Sequence, residues 1–329
     1  MKLYRSFATV GGMTMLSRVL GFVRDILIAS VLGTGAVADT FFVAFRFPNL
    51  FRRLFAEGAF NSAFIPLFSK KVEGEGATAA RKFANESLSA LVTALLILTA
   101  IAEIAMPWLM YVIAPGFADS PEKFDLAVLL TRIAFPYLLF VSVVALYSGM
   151  MNALHRFAAA AFAPVLLNIV LISVMAGVAW AGYGNTPEAG EALAWGVAAG
   201  GVAQLLVLLF ASGRAGMRLK LQRPRMSDGV RRLLALGIPG VIAGGITQVN
   251  ILIGTIIASM QDSAVSWLYY ADRIYQLPLG LVGIAIGVVL LPDLSRKLRA
   301  RDRDGALHSQ NRSLELALLL TLPAAVALM

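Results

Sequence analysis

The sequence predicts an all-α polytopic membrane protein, with about nine transmembrane helices set in two lobes related by a pseudo-twofold axis. Three observations predict it. Of the 329 residues, 59% are hydrophobic and only 14% are charged, against about 25% charged in a soluble domain, and the mean hydropathy is +0.78. Nine stretches are apolar over roughly the 20 residues that a helix needs to cross a ~30 Å hydrocarbon core. Lysine and arginine gather in alternate gaps between those stretches.

The first stretch, 5–32, contains Arg18, Arg24 and Asp25, charges that the apolar region of a cleavable signal peptide lacks. The second, 38–69, contains Pro48, which is expected to bend it. The third and fourth, 84–113 and 126–151, flank a turn with Asp119, Glu122 and Asp125. The fifth and sixth, 157–182 and 192–212, flank one with Glu188 and Glu191. A basic gap around 213–230 leads to the seventh, 231–259, and then the eighth, 264–292. The ninth, 312–329, is still apolar at Met329, which predicts a chain that continues further.

Counting lysine and arginine by side puts twenty in the gaps on the N-terminal side, against Lys123 alone on the other. Positive charge stays on the cytoplasmic side, so the N-terminus is predicted inside. The same distribution accounts for the net charge of +9 without any nucleic-acid partner.

A faint repeat divides the chain. Pro66-Leu-Phe-Ser69-Lys70-Lys71 resembles Pro292-Asp-Leu-Ser295-Arg296-Lys297, and Ala44-Phe-Arg46 resembles Ala271-Asp-Arg273. An even number of helices between copies makes such a repeat parallel; chance similarity is the competing reading. The repeat predicts a first lobe over 1–222, holding helices one to six. The start of a second lobe, helices seven to nine, then occupies 223–329.

Seven arginines fall inside the apolar stretches: Arg18, Arg24, Arg46, Arg52, Arg53, Arg132 and Arg273. A charge at bilayer depth costs about 3 kcal/mol or more, so such residues face a bundle interior or a wet cavity. On helix one, Arg18 and Asp25 are seven residues apart and about 20° apart in projection. Ser17 and Gly21 keep that region slim and polar. On helix two, Arg46, Asn49, Arg53 and Glu57 follow at spacings that share one stripe. Glu57 is placed to neutralise Arg53, while Arg52 has no acidic partner in its own helix. The structural alternative for all seven is ion pairing or snorkelling to an interface, weighing most for Arg132, then Arg46 and Arg53; Arg273, beside Trp267-Leu-Tyr-Tyr, has an interfacial anchor as its alternative. Asp39 and Asp272 add further charge to these helices.

A surplus of guanidinium groups suits a diphosphate, which they bind in bidentate forks; a metal cation requires acids instead. The chain has no cysteine and only two histidines, so no metal site is predicted. Gly33-Thr-Gly35 is not followed by the Lys-Ser/Thr of a nucleotide loop. No catalytic set emerges, and no enzyme is predicted.

The run Ser17-Arg-Val-Leu-Gly-Phe-Val-Arg24-Asp25 resembles the opening signature of the MurJ/MviN family of lipid II flippases. So does Asp39-Thr-Phe-Phe-Val-Ala-Phe-Arg-Phe-Pro48-Asn49-Leu-Phe-Arg52-Arg53-Leu-Phe-Ala-Glu57-Gly-Ala-Phe, and the stretch from Tyr270-Ala-Asp-Arg273 to Leu291-Pro292 is similar to the family's eighth helix. The family belongs to the multidrug/oligosaccharidyl-lipid/polysaccharide exporter superfamily. The resemblance implies a transporter fold of fourteen helices, of which this sequence supplies nine. It also implies a central cavity open alternately inward and outward.

The implied activity is transfer of lipid II, the undecaprenyl-pyrophosphate-linked disaccharide-pentapeptide, from the inner to the outer leaflet of the bacterial inner membrane, for peptidoglycan biosynthesis and cell shape. Lipid II and membrane lipids are the implied partners. The family's cavity arginines match Arg18, Arg24, Arg52 and Arg273, expected to hold the pyrophosphate. Asp25, Asp39, Asn49 and Glu57 match its secondary polar positions; Ser17, Arg46 and Arg53 join them as expected cavity or gating groups. No cofactor is implied for this stretch, and the residues for a coupling monovalent cation belong to later helices. Nine helices alone are not expected to complete alternating access. The alternatives are an exporter of another polyprenyl-pyrophosphate-linked glycan and a non-transporting scaffold on a transporter fold. A drug/cation antiporter needs acidic cavity residues to dominate, and they do not.

Overall fold

The computed structural model describes residues 2–53, 60–300 and 302–327, all of their regular structure helical and no strand among them. It consists of two compact units, Met1–Ser266 and Trp267–Met329. In chain order the helices are α1 (Lys2–Leu32), α2 (Ala36–Phe51), α3 (Phe60–Ile113), α4 (Pro121–Ala134), α5 (Tyr137–Ala153), α6 (Ala158–Trp180), α7 (Pro187–Arg214), α8 (Asp228–Ser259), α9 (Ala264–Arg299) and α10 (Arg303–Ala327). A 3₁₀ turn, Pro115–Asp119, precedes α4. Among the described residues five stretches are long and apolar enough to cross a membrane: α3, α4 with α5, α6, α7 and α8.

Several boundaries differ from the hydropathy reading, each for a local reason. The loop expected over 70–83 is helical except at Gly76, whose φ of 82° breaks α3 into two helices. Lys71 and Glu75 pair at 3.0 Å one turn apart, carrying the helix up to the break. A side chain rarely adopts that φ, which is why glycine stands at the corner. The expected span 126–151 is interrupted between α4 and α5 at Phe135–Pro136, where proline lacks the N–H that a continuous helix would use. Helix α8 starts at Asp228 because the Ser227 hydroxyl accepts from the Val230 N–H at 3.4 Å. Helix α9 continues past 292 to Arg299, and α10 begins at Arg303, where the Asp302 carboxylate accepts from the Gly305 N–H at 2.8 Å.

In the first unit the apolar core gathers where α3, α5, α7 and α8 meet. Phe64 stacks on Phe60, Phe68 and Phe83, with centroids 5.3–5.6 Å apart. Tyr147, Met150, Leu208, Met217 and Leu233 close that cluster. A second group, Phe47, Phe51 and Phe135, pins α2 to the α4–α5 break. Small residues allow the close approaches of α7: a Cβ at Gly200 would lie 2.5 Å from Leu167, and one at Gly201 2.7 Å from Tyr137. The outer faces are apolar too. Ile238, Ile242, Ile246, Val249, Ile253 and Ile257 run exposed along one side of α8.

The two ends of this unit differ in charge. At one, the linker after α7 is strapped to the second half of α3. Arg81 donates to the Gly216 carbonyl at 2.7 Å, and the N–H groups of Lys220 and Gln222 donate to Asn85 and Ser89. The two richest basic gaps of this unit therefore meet. At the other end the turns near 115–123 and 259–266 meet, and the Asn185 N–H donates to the Val31 carbonyl at 2.9 Å.

Candidate functional site

Helix α1 lays its polar positions against α6. Arg24 and Asp25 are each 7% exposed. The Arg24 guanidinium donates to Asp25 Oδ1 through Nε at 3.0 Å and Nη2 at 2.7 Å, and through Nη1 to Asn168 Oδ1 at 2.9 Å. Asn168 Nδ2 in turn donates to the Ser17 carbonyl at 2.8 Å and the Ser17 hydroxyl at 3.3 Å. Gly21 leaves room for this amide: a Cβ there would sit 3.6 Å from it. Each donor and acceptor that has left water is met by a partner, which is what makes a buried guanidinium tolerable.

The network reaches α2 through an aromatic ring. Arg24 Cζ lies 5.9 Å from the Phe45 centroid, a cation–π distance. The Phe45 carbonyl accepts from Asn49 Nδ2 at 2.7 Å, and Asn49 Oδ1 accepts from Arg52 Nε at 2.9 Å. Arg52, half-buried, thus has a neutral partner in its own helix, one that charge pairing alone does not predict. Arg18, about one helical turn before Gly21, is exposed, with no hydrogen bond or ion pair among the described residues. Arg52 and Arg53 sit in a π-helical turn at the end of α2, a distortion found often at functional sites. Glu57, expected to neutralise Arg53, lies outside the described residues. Arg46 donates from Nη1 to the Thr255 hydroxyl of α8 at 2.7 Å.

Asp39 forms a separate joint. It is 0% exposed in the first turn of α2. Its Oδ2 accepts from Lys123 Nζ of α4 at 2.9 Å and from the Ser263 N–H at 3.1 Å; its Oδ1 accepts from the Ser266 N–H at 2.9 Å. Ser263 holds a φ of 61°, a strained value for a side chain that the surrounding bonds must maintain. Lys123 also stands 4.5 Å from the Phe117 centroid and 3.6 Å from Asp262. Beside it Gly116 donates to the Ser259 hydroxyl at 3.2 Å, so tightly that a Cβ would fall 2.2 Å from the Ser259 carbonyl oxygen.

Arg273 belongs to the second unit. Its Nη2 donates to the Tyr269 hydroxyl at 3.2 Å, with Cζ 4.9 Å from that ring. At the far end of α9, Asp293 accepts from Arg296 at 2.7 Å, is 2.8 Å from Lys297 and accepts from Ser309 at 2.7 Å. Hydrogen bonding from Lys297 foremost, then Ser309 and Arg296, holds the Asp293 carboxyl well below the usual carboxylate range. At the start of α7 the Glu188 carboxyl is lowered by its own backbone N–H and by Thr186.

Within the first unit the structure therefore joins Ser17, Arg24, Asp25, Asn49 and Arg52 through contacts, and places Asp39 and Arg46 in other joints. Three partners escaped sequence reasoning. Asn168 and Thr255 stand as polar groups in apolar helices, a readable signal. Lys123 is a lone base on an acidic side, in a first turn where the helix dipole disfavours a cation. Arg132 donates to the Glu103 backbone carbonyl at 3.1 Å. No cluster of three or more His, Asp or Glu that could hold a metal ion occurs among the described residues.

Known proteins resemble the chain throughout. The sequence model of one family, described as "Lipid II flippase MurJ", matches residues 28–329. A probable lipid II flippase MurJ of Rhizobium meliloti (strain 1021) is 53% identical over 100% of this chain and 62% of its own length. The lipid II flippase MurJ of Burkholderia cenocepacia is 39% identical over 100% of the chain and 64% of its own length. The chain thus spans less than two thirds of the length of these relatives. Among solved structures, a lipid II flippase MurJ in an inward closed conformation superposes with a TM-score of 0.75 at 25% identity, over 97% of this chain and 64% of that one. An inward-facing transporter of the MATE family in the MOP superfamily shares the fold, with a TM-score of 0.71 at 15% identity, over 97% and 72%.

Proposed function

The chain belongs to the lipid II flippase MurJ family, and from that premise we propose that it moves lipid II from the inner to the outer leaflet of the bacterial inner membrane. No bond is made or broken in that task; the protein is a transporter, not a catalyst. In this reading nine helices cross the bilayer with the N-terminus in the cytoplasm. The pyrophosphate docks against Arg18, Arg24, Arg52 and Arg273, and the sugar-peptide head occupies the wet space between lobes while the lipid tail stays in the bilayer.

One observation carries the reading: an arginine network on α1, α2 and α6 kept inside apolar helices, in a chain of this family. Arg24 is neutralised by Asp25, so its part is to shape the site and to share a proton-rich face with the diphosphate. Exposed Arg18 is the group that offers an unengaged fork. In this reading the Asp39 joint, which ties α2 to α4 and to the α8–α9 corner, closes the opposite end.

The test is rescue of a strain depleted of its own flippase by the full-length protein. Arg18→Ala and Arg52→Ala are expected to abolish rescue and to leave lipid II in the inner leaflet, while Arg18→Lys retains part of it. Full rescue by both alanine variants, with normal precursor export, removes these residues from the mechanism.

A further inference from the structure

We infer that the basic end of α7 is a binding site for the headgroup of an anionic phospholipid, in the leaflet that the basic linker faces. A cavity of about 450 Å³ opens there, lined by Tyr147, Leu209, Phe210, Arg214, Arg218 and Leu219 among others. That volume falls within the range of small-molecule sites. It lies apart from the arginine network of α1 and α2 and from the Asp39 joint, and neither uses any of its residues.

Its lining divides into a basic part and an apolar part. Arg214 and Arg218 are exposed, and neither has a carboxylate within ion-pair distance among the described residues. Arg214 Cζ lies 5.3 Å from the Phe210 centroid, a cation–π distance. The negative end of the helix dipole would oppose an anion, but here the last carbonyls of α7 are already satisfied. The N–H groups of Ala215, Gly216 and Met217 donate to Ala211, Gly213 and Ser212, with Gly216 at a φ of 74°. The Ser212 hydroxyl folds back onto the Met217 carbonyl. The two guanidinium groups therefore set the local field.

Tyr147 supplies a further polar group. It is 2% exposed, lines the cavity and has no hydrogen-bond partner among the described residues. Toward the bilayer the wall turns apolar, and Phe210 is 66% exposed. Two forked cations and a hydroxyl above an apolar wall match a phosphodiester carrying acyl chains: charge-assisted bonds for the phosphate, apolar surface for the tail. A soluble phosphate would leave that wall unused, and a zwitterionic lipid would set its own cation against the arginines.

The experiment titrates the purified full chain, in a neutral detergent, with dioleoylphosphatidylglycerol and counts bound lipid by native mass spectrometry. Arg214→Gln/Arg218→Gln is expected to lower phosphatidylglycerol retention about tenfold, as loss of charge-assisted bonds implies, and Arg214→Lys/Arg218→Lys to lower it less. Arg223→Gln/Arg225→Gln, in the same basic linker but outside the cavity, is expected to retain it as the parent does. Dioleoylphosphatidylcholine and glycerophosphoglycerol are expected to bind weakly to every form. An equal loss in the Arg223/Arg225 variant would make the effect general surface charge and overturn the site. Equal retention of glycerophosphoglycerol would overturn the role of the apolar wall. Loss of undecaprenyl pyrophosphate binding in place of phosphatidylglycerol would assign the cavity to the transported lipid and overturn the inference. Unchanged melting temperatures separate each result from misfolding, and because no step of translocation is read, failure here leaves the flippase reading standing.

Discussion

The Arg24–Asp25 pair and the Lys123–Asp39 pair are both nearly sealed from solvent, yet they are held in opposite ways. Arg24 takes its counter-charge from the next residue on its own helix, at 2.7 Å. If α1 and α6 part, the cation keeps its acid and loses only the Asn168 amide. Asp39 takes everything from elsewhere: an ammonium on α4 and two backbone N–H groups at the α8–α9 corner. It is fully satisfied only when three distant segments meet. The first arrangement depends on one helix alone; the second depends on three segments staying together. If the proposed function holds, a charge that meets a ligand and a charge that latches a closure are distinguishable by where their partners sit in the chain.

The strongest way to break the comparison is Lys123→Met. It leaves a buried carboxylate with no cation, a change that costs about 3–5 kcal/mol in other proteins, and it is expected to free the Ser263 and Ser266 N–H groups. A large drop in melting temperature, with faster hydrogen exchange at 259–266, is the expected result. Adding Asp39→Asn is expected to recover part of the loss, since no charge is then left unpaired; a purely additive double variant would deny the latch.

Asn168→Leu is the matching change at the other joint. Losing a hydrogen bond to a charged group costs about 1.5–3 kcal/mol, less than above because Asp25 remains. Exchange in α1 and α6 is expected to rise while 259–266 stays protected. A response at 259–266 would mean that the two joints are coupled.

How much of this was readable before any fold was known follows from the kind of force involved. Helices were legible because apolar length is a property of the sequence itself, and Arg18, Arg24 and Asp25 were legible because charge in an apolar run is costly wherever the run packs. The partners were not. Asn168 lies 144 residues from Arg24, and Ser266 lies 227 from Asp39, and no local rule selects one amide or one N–H from so far away. The breaks were missed for a similar reason: Gly76 is one glycine among 29, and only the left-handed φ marks it.

Gly116→Ala probes the latch by volume, not charge. The added methyl would meet backbone atoms of Ser259 and Met260 at 2.2–2.5 Å, and backbone cannot rotate aside. Overpacking costs about 1–3 kcal/mol. Part of that cost is expected as local opening of the joint: exchange at 259–266 rises while the Arg24 joint is untouched. Unaltered exchange there would show that the turn yields and that the close approach has no part in closure.

The smallest effect is expected at Asp293, and it completes the comparison with a pair set in water. Its carboxyl is lowered in the folded chain by Lys297, Ser309 and Arg296. A group so lowered contributes stability that is fully present above its unfolded value, near 4, and that is lost as pH falls through the folded value. Protection of the α9–α10 corner, 297–309, is therefore expected to hold from pH 7 down past pH 4 and to fade only in stronger acid, whereas Asp293→Asn abolishes that dependence. The pair is also open to ions: at about 1 M salt the screening length is ~3 Å, and the corner's protection is expected to drop. The same salt is expected to leave 259–266 and the Arg24 helix unmoved, because neither of those pairs is reached by solvent. Salt sensitivity of equal size at all three places would show that burial does not separate them.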